Sequence, residues 1–277
     1  MLYHSLVRLT FSHHILHNMA LLLCFLSFLI ISSASSCDRC VHQGKVAYFS
    51  QESALSYGAC GYGSLALGFN NGLLAGSDSS LYKNGAGCGA CFKVRCKNPS
   101  LCTKQGTQVI VTDLNLSDQT DLVLSSRAFM AMANKGMEED LKKLGVVDAE
   151  YKRVPCVYKN QNLAVRVEEM TQPNFLAVKF LYQGGQTEIV AVDVAQVGSP
   201  NWTSMSRNYG AVWDTKKIPT GALQFRILVT SGYDGKSIWA KNVLPADWKP
   251  GVIYDSGVQI SDIAQEGCYP CDDGSWK

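Results

Sequence analysis

Residues 163–182 read Leu-Ala-Val-Arg-Val-Glu-Glu-Met-Thr-Gln-Pro-Asn-Phe-Leu-Ala-Val-Lys-Phe-Leu-Tyr. Leu163, Val165 and Val167 fall at every second position, as do Leu176, Val178, Phe180 and Tyr182 after the break at Pro173. Side chains two apart share one face of a strand, so each run is a strand with one face turned to a core. Val190, Val192 and Val194 repeat the pattern, as do Leu223, Phe225, Ile227 and Val229, with further strands near Ile238 and Val258. Gly184-Gly185 and Asp234-Gly235 are expected to be hairpin turns, because such residues take positive φ cheaply. About seven short strands at this spacing predict a β-sandwich over 162–250, with 251–277 as a C-terminal tail.

The chain ahead of this region is built differently. Short strands at 46–50, 90–96, 108–112 and 149–154 lie among glycine-rich turns. One helix is expected from Ser126 to about Lys135, capped by Ser125, with Phe129, Met130 and Met132 as its apolar positions and Gly136 as its stop. Six cysteines fall between Cys60 and Cys156, where there is no tryptophan; all five tryptophans lie beyond residue 200. The polar Lys159-Asn160-Gln161 is the expected join. Strands tied by cysteines over 37–158 predict a small β-barrel, so the mature chain is all-β with two domains.

Composition narrows the chemistry. Of 277 residues 47% are hydrophobic and 17% charged, with a net charge of +2, so nothing favours nucleic acid or a membrane surface as partner. Residues 1–36 contain no acidic residue, and 20–31 form an apolar run of twelve followed by Ser-Ser-Ala-Ser-Ser. That run is too short to span a bilayer, and small residues after it mark a secretory signal peptide cleaved after Ala34 or Ser36. Met19 is an alternative start. Secretion leaves ten cysteines, for which disulfides are the default. In a reducing compartment the Cys37/Cys40 and Cys268/Cys271 pairs would suggest a four-cysteine zinc site; here no metal or other cofactor is expected. Four of the five histidines leave with the leader, and His42 alone remains for any triad.

Two groups of residues invite a function. Phe175 has opposite parity to Leu176, Val178 and Phe180, so it is expected to face outward, and Trp202, Tyr209 and Trp213 lie in the polar segment 201–213. Exposed aromatic planes suit sugar rings, whose axial C–H groups stack while their hydroxyls stay hydrated. Asp113 ends the apolar run 109–112, with Asp121 a conceivable second carboxyl; glycoside hydrolysis needs two. Asn115-Leu116-Ser117 and Asn201-Trp202-Thr203 are glycosylation sequons.

These residues also resemble a known family. Gly58-Ala59-Cys60-Gly61-Tyr62-Gly63, Cys88-Gly89-Ala90-Cys91-Phe92 and Arg153-Val154-Pro155-Cys156 are similar to the first domain of plant expansins. Residues 205–210 and 242–248 resemble the expansin carbohydrate-binding module; Cys-Asp-Arg-Cys at 37–40 and the stretches 120–129 and 262–271 resemble the expansin-like A subfamily. The resemblance covers 37–277. It implies a six-stranded double-psi β-barrel, similar to family-45 endoglucanases, followed by an immunoglobulin-like β-sandwich. It implies the disulfides Cys60–Cys88, Cys91–Cys156 and Cys96–Cys102, leaving Cys37, Cys40, Cys268 and Cys271 to pair among themselves in one of three ways; we expect the first pair to join the second. It also implies a monomer secreted to the plant cell wall that binds cellulose, xyloglucan or a related glucan and loosens cellulose–matrix contacts without hydrolysis.

The match is imperfect where catalysis would sit. Asp113 fits the family's Thr-Asp-x-Asn segment, but the family's His-Phe-Asp stands here as Asp121-Leu122-Val123, so Val123 replaces the second acid. Ala47 and Phe49 replace the usual Thr and Tyr. The resemblance therefore implies no enzyme, with Phe175, Tyr209 and Trp213 as the polysaccharide-binding aromatics. A binding module without loosening activity is the alternative, and a residual hydrolase the remotest.

Overall fold

A computed structural model describes residues 40–49, 56–168, 175–230, 235–264 and Trp276. The expected leader, Cys37, Cys268 and Cys271 lie outside these residues. Six strands, β1 (His42–Tyr48), β2 (Leu74–Ser77), β3 (Cys91–Cys96), β4 (Thr107–Leu114), β5 (Leu122–Leu124) and β6 (Val146–Val154), close into a barrel in the order β1-β5-β2-β4-β3-β6. The β1/β5 and β2/β4 pairs are parallel and the others antiparallel. Val46, Ala75, Phe92, Val94, Val109, Val111, Leu122 and Leu124 fill the interior with Phe129, Met132 and Leu141.

The helix expected at 126–135 is shorter. Helix α1 (Ser79–Tyr82) precedes it, and α2 covers only Ser126–Met130, with the Ser125 hydroxyl accepting the Ala128 N–H. The chain leaves the helix because the loop of the Cys96–Cys102 disulfide takes its backbone groups: Thr103 N–H donates to Met132 and Asn134 N–H to Leu101. A third helix, α3 (Glu138–Leu144), follows, with acidic residues in its first turn and lysines in its last, matching the helix dipole.

Eight further strands, β7 (Ala164–Val167), β8 (Leu176–Leu181), β9 (Ile189–Gln196), β10 (Thr203–Tyr209), β11 (Val212–Thr215), β12 (Leu223–Val229), β13 (Lys236–Leu244) and β14 (Ile253–Asp255), follow one another sideways as β13-β12-β9-β10-β11-β8-β7-β14. Strand β10 pairs with β9 through Thr203–Met205 and with β11 through Ser206–Tyr209, so it passes from one half of the sandwich to the other. Leu163, Val165, Val178 and Phe180 meet Val192, Phe225, Ile227 and Val229 in one core.

Four expectations change here. Gly184-Gly185 is no hairpin: β8 and β9 belong to different halves, and Gly185 instead exchanges both backbone hydrogen bonds with Cys156. Val190 faces solvent because a bulge opposite Leu228–Val229 substitutes Ile189 in the core. The strand expected near Val258 is β14, which ends earlier, at Asp255, so Val258 itself lies beyond it, although its carbonyl accepts the Leu163 N–H. The sheet runs past residue 250, since β14 pairs with β7 and Ile260 is buried in the same core.

A second apolar cluster joins barrel to sandwich. Tyr62, Phe69, Leu74 and Ile110 from the outside of the barrel pack with Ala164, Leu181 and Ala211. Around them Arg153 and Lys83 both bind Glu188, at 2.9 and 2.7 Å.

Candidate polysaccharide-binding surface

Asp113 owes its position to a bulge. On β4, Val109 and Val111 point into the barrel, and strict alternation would send Asp113 after them. Opposite β2, however, Ala75 pairs with Val111 and its neighbour Gly76 with Asp113, so Thr112 is an extra residue. Such an insertion re-aims the following side chain, and Asp113 emerges on the outer face beside Gly76. There its Oδ1 accepts the N–H groups of Ala59, at 2.6 Å, and of Leu114, at 2.8 Å.

The row continues sideways. Gly76 pairs with Val123, and Val123 with Ala47, so Ala47, Val123, Gly76 and Asp113 stand in register across β1, β5, β2 and β4. Two strand spacings separate Val123 from Asp113, roughly 10 Å, near the distance between the acid and base of an inverting glycosidase. Val123 has no proton to give. Phe49 lies over Gly76, where a Cβ would stand 3.1 Å from its ring, and so fills space beside Asp113. Tyr82, whose hydroxyl donates to the Ala59 carbonyl at 3.0 Å, closes the other side. Burial, and then the Asp113 carboxylate, push the Tyr82 phenol above its ordinary pKa.

Asp121 does not complete a pair. It precedes β5 at the barrel rim, where its carboxylate accepts the Lys45 N–H at 2.8 Å and the Tyr151 hydroxyl at 3.1 Å.

On the sandwich, Phe175 and Tyr209 are brought together. With Arg166, Glu168, Ala177, Asn208 and Val212 they line an open hollow of about 370 Å³ on the outer face of β7, β8 and β11. Tyr209 is 51% exposed. Trp213 is not part of this plane: it is 4% exposed, sits in the sandwich core, and has the Arg207 guanidinium 4.4 Å from its ring. Trp213 pairs with the core residue Val178 of β8 and so lies on the inward side, while a register shift between Arg207 and Tyr209 sets Tyr209 beside Val212 instead of in line with Trp213.

Lys179, Glu168 and Arg166 were legible only as the polar members of alternating strands. Lys179 is buried, pairs with Glu168 at 3.1 Å and donates to the Gly61 carbonyl of the barrel. Burial holds its pKa down despite Glu168. The turn Gly58-Ala59-Cys60-Gly61 thus contacts Asp113 at one end and Lys179 and Tyr209 at the other.

Three disulfides fix this half: Cys60–Cys88, Cys91–Cys156 and Cys96–Cys102, with Cα separations of 5.5, 5.3 and 5.9 Å. Cys40 is disulfide-bonded as well. Asn115 holds a loop through Nδ2, which donates to the Thr120 carbonyl at 2.6 Å, whereas Asn201 is exposed. No described helix is long and apolar enough to cross a membrane.

Comparison with known proteins accounts for both halves. The family model for the expansin C-terminal domain matches residues 163–245, and one described as lytic transglycolase matches 75–151. The chain is 63% identical over 254 residues to Expansin-like A1 of Arabidopsis thaliana, covering 90% of this chain and 96% of that one. It is 48% identical to Expansin-like A3 of Oryza sativa subsp. japonica, covering 88% and 91%. A solved Clavibacter michiganensis expansin, a d78n mutant in complex with cellohexaose, has the same fold with a TM-score of 0.62, at 20% identity, over 79% of this chain and 97% of that one. The chain belongs to the expansin family, among its expansin-like A members.

Proposed function

We propose that the protein is secreted to the plant cell wall and binds a wall glucan along one surface running from the Asp113 groove to the Phe175–Tyr209 plane. There it loosens cellulose–matrix contacts without cleaving a bond. The observation that carries the reading is the shared turn 58–61, which ties the groove to the aromatic plane and makes them a track for an extended polymer. Stacking on Phe175 and Tyr209 supplies contact, and Asp113 accepts hydrogen bonds from sugar hydroxyls. With Val123 across the groove, the second carboxyl that hydrolysis requires is missing from its position. The cellohexaose complex of the bacterial expansin supports the choice of a β-glucan as ligand.

A loaded-wall extension assay at acidic pH tests this. Creep that disappears with Asp113→Asn, without release of reducing ends, supports it; reducing-end release by the wild-type protein refutes the non-hydrolytic part. Cellulose and xyloglucan pull-down unchanged by Phe175→Ala with Tyr209→Ala refutes the binding plane. A second reading, binding without loosening, is favoured by Phe49, which occupies space over Gly76 beside Asp113. Tight wall binding with no creep would select it.

A further inference from the structure

The half of the sandwich that carries no part of this track has its own ordered row. Trp239 stands opposite Arg226, Arg226 opposite Asp193, and Asp193 opposite Ser204, across β13, β12, β9 and β10. Their neighbours Ala240, Phe225, Ile227, Val192, Val194 and Met205 point into the core, so alternation turns the row outward. Trp202, two residues before Ser204, joins it. Its indole meets that of Trp239 at 5.4 Å between centroids and 80° between planes, making a right-angled corner.

The polar part of the row is fixed and self-neutral. Arg226 lies 5.3 and 5.6 Å from the two indoles. It pairs with Asp193 through Nε and Nη2, each at 2.9 Å, and the Ser204 hydroxyl donates to the same carboxylate at 2.7 Å. Trp239 nevertheless stays 47% exposed, although an indole gains more by burial. Flat apolar walls beside held donors and acceptors suit a polyol: sugar C–H groups stack on an indole while hydroxyls meet Arg226, Asp193 and Ser204. Because the guanidinium and carboxylate cancel, the row offers little to an ionic ligand, and the neutral sugar is the better match.

We propose that the Trp202–Trp239 corner binds a neutral glycan chain on the side of the sandwich opposite the Phe175–Tyr209 plane, so that one molecule holds two polysaccharide chains. The corner is independent of that plane, and each can fail alone. The test titrates cellohexaose and a xyloglucan oligosaccharide into the full-length secreted protein, freed of the glycan expected on Asn201 beside Trp202, by calorimetry and tryptophan fluorescence, in a Phe175→Ala/Tyr209→Ala background. Binding that persists there, weakens about tenfold or more on adding Trp239→Ala, and returns with Trp239→Phe supports the corner. Each variant must keep its thermal transition; one that does not is replaced by Arg226→Gln, expected to weaken the same binding. No binding in the background, residual binding unmoved by Trp239→Ala, binding of oligogalacturonide alone, or self-association lost with Trp239→Ala would each overturn it. Loss of all binding with Trp202→Ala/Trp239→Ala, together with undiminished binding in the Phe175→Ala/Tyr209→Ala background, would leave the corner standing and the plane refuted.

Discussion

Asp113 and Tyr209 hold opposite ends of one turn: Asp113 Oδ1 accepts the Ala59 N–H at 2.6 Å, and the Tyr209 ring covers Gly61 so closely that a Cβ there would lie 2.6 Å from Cε2. Gly61 also has φ of 74°. Gly61→Ala therefore meets both a left-handed backbone, costing about 1–2 kcal/mol, and the tyrosine ring. Glucan pull-down is expected to fall severalfold as Tyr209 is displaced, with a lower thermal midpoint. Unchanged binding would show that Tyr209 need not sit against the turn.

Glycan mapping should separate the two sequons. The Asn115 amide nitrogen already donates to the Thr120 carbonyl at 2.6 Å and hydroxyl at 3.0 Å, while its oxygen accepts the Ser117 N–H. A sugar on that nitrogen removes a donor and crowds the loop, whereas exposed Asn201 has no such duty. Mass spectrometry of the secreted protein is expected to find glycan at Asn201 and bare Asn115. A glycan on Asn115 in folded, wall-binding protein would contradict this.

How far residues alone reveal such features depends on whether neighbours intervene. The sandwich strands were legible because Leu223, Phe225, Ile227 and Val229 serve one core and obey period two throughout. Asp113 was legible as a groove acid, but the bulge that turns it outward was not, nor was the pairing with Val178 that buries Trp213, because both depend on the partner strand. The polar company of Trp213 suggests an exposed ring, and the core buries it. Helix α3 escaped notice because seven residues give its apolar face a single buried anchor, Leu141.

Acid should loosen the end of the chain. Burial works to raise the Glu150 pKa, but the hydrogen bonds of Gln43 and Arg95, the Arg95 charge and the Trp276 indole outweigh it, and the carboxyl titrates below its ordinary value of 4.5. A depressed folded-state pKa contributes stability above about 4.5 that is lost as pH falls through the folded value. The thermal midpoint is expected to drop over that window, and Glu150→Gln to flatten the drop. An equally steep acid slope in Glu150→Gln would place the titration elsewhere.

The same glutamate bears on the terminal cysteines. Glu150 accepts Gln43 at 3.0 Å and the Trp276 indole N–H at 3.1 Å, while Arg95 lies 4.2 Å from the indole ring. Gln43 follows Cys40 by three residues, and Trp276 follows Cys271 by five. At roughly 3.3–3.6 Å per extended residue, those short arms reach each other from a common anchor on β6. We therefore expect Cys37 and Cys40 to be joined to Cys268 and Cys271. Such links close a loop of more than 200 residues, which constrains the unfolded state by a few kcal/mol. Replacing Cys268 and Cys271 by serine should lower the thermal midpoint by roughly 10 °C. Peptide mapping of the unreduced protein decides the pairing: 37–40 and 268–271 found linked only within themselves would refute it and reduce the expected loss accordingly.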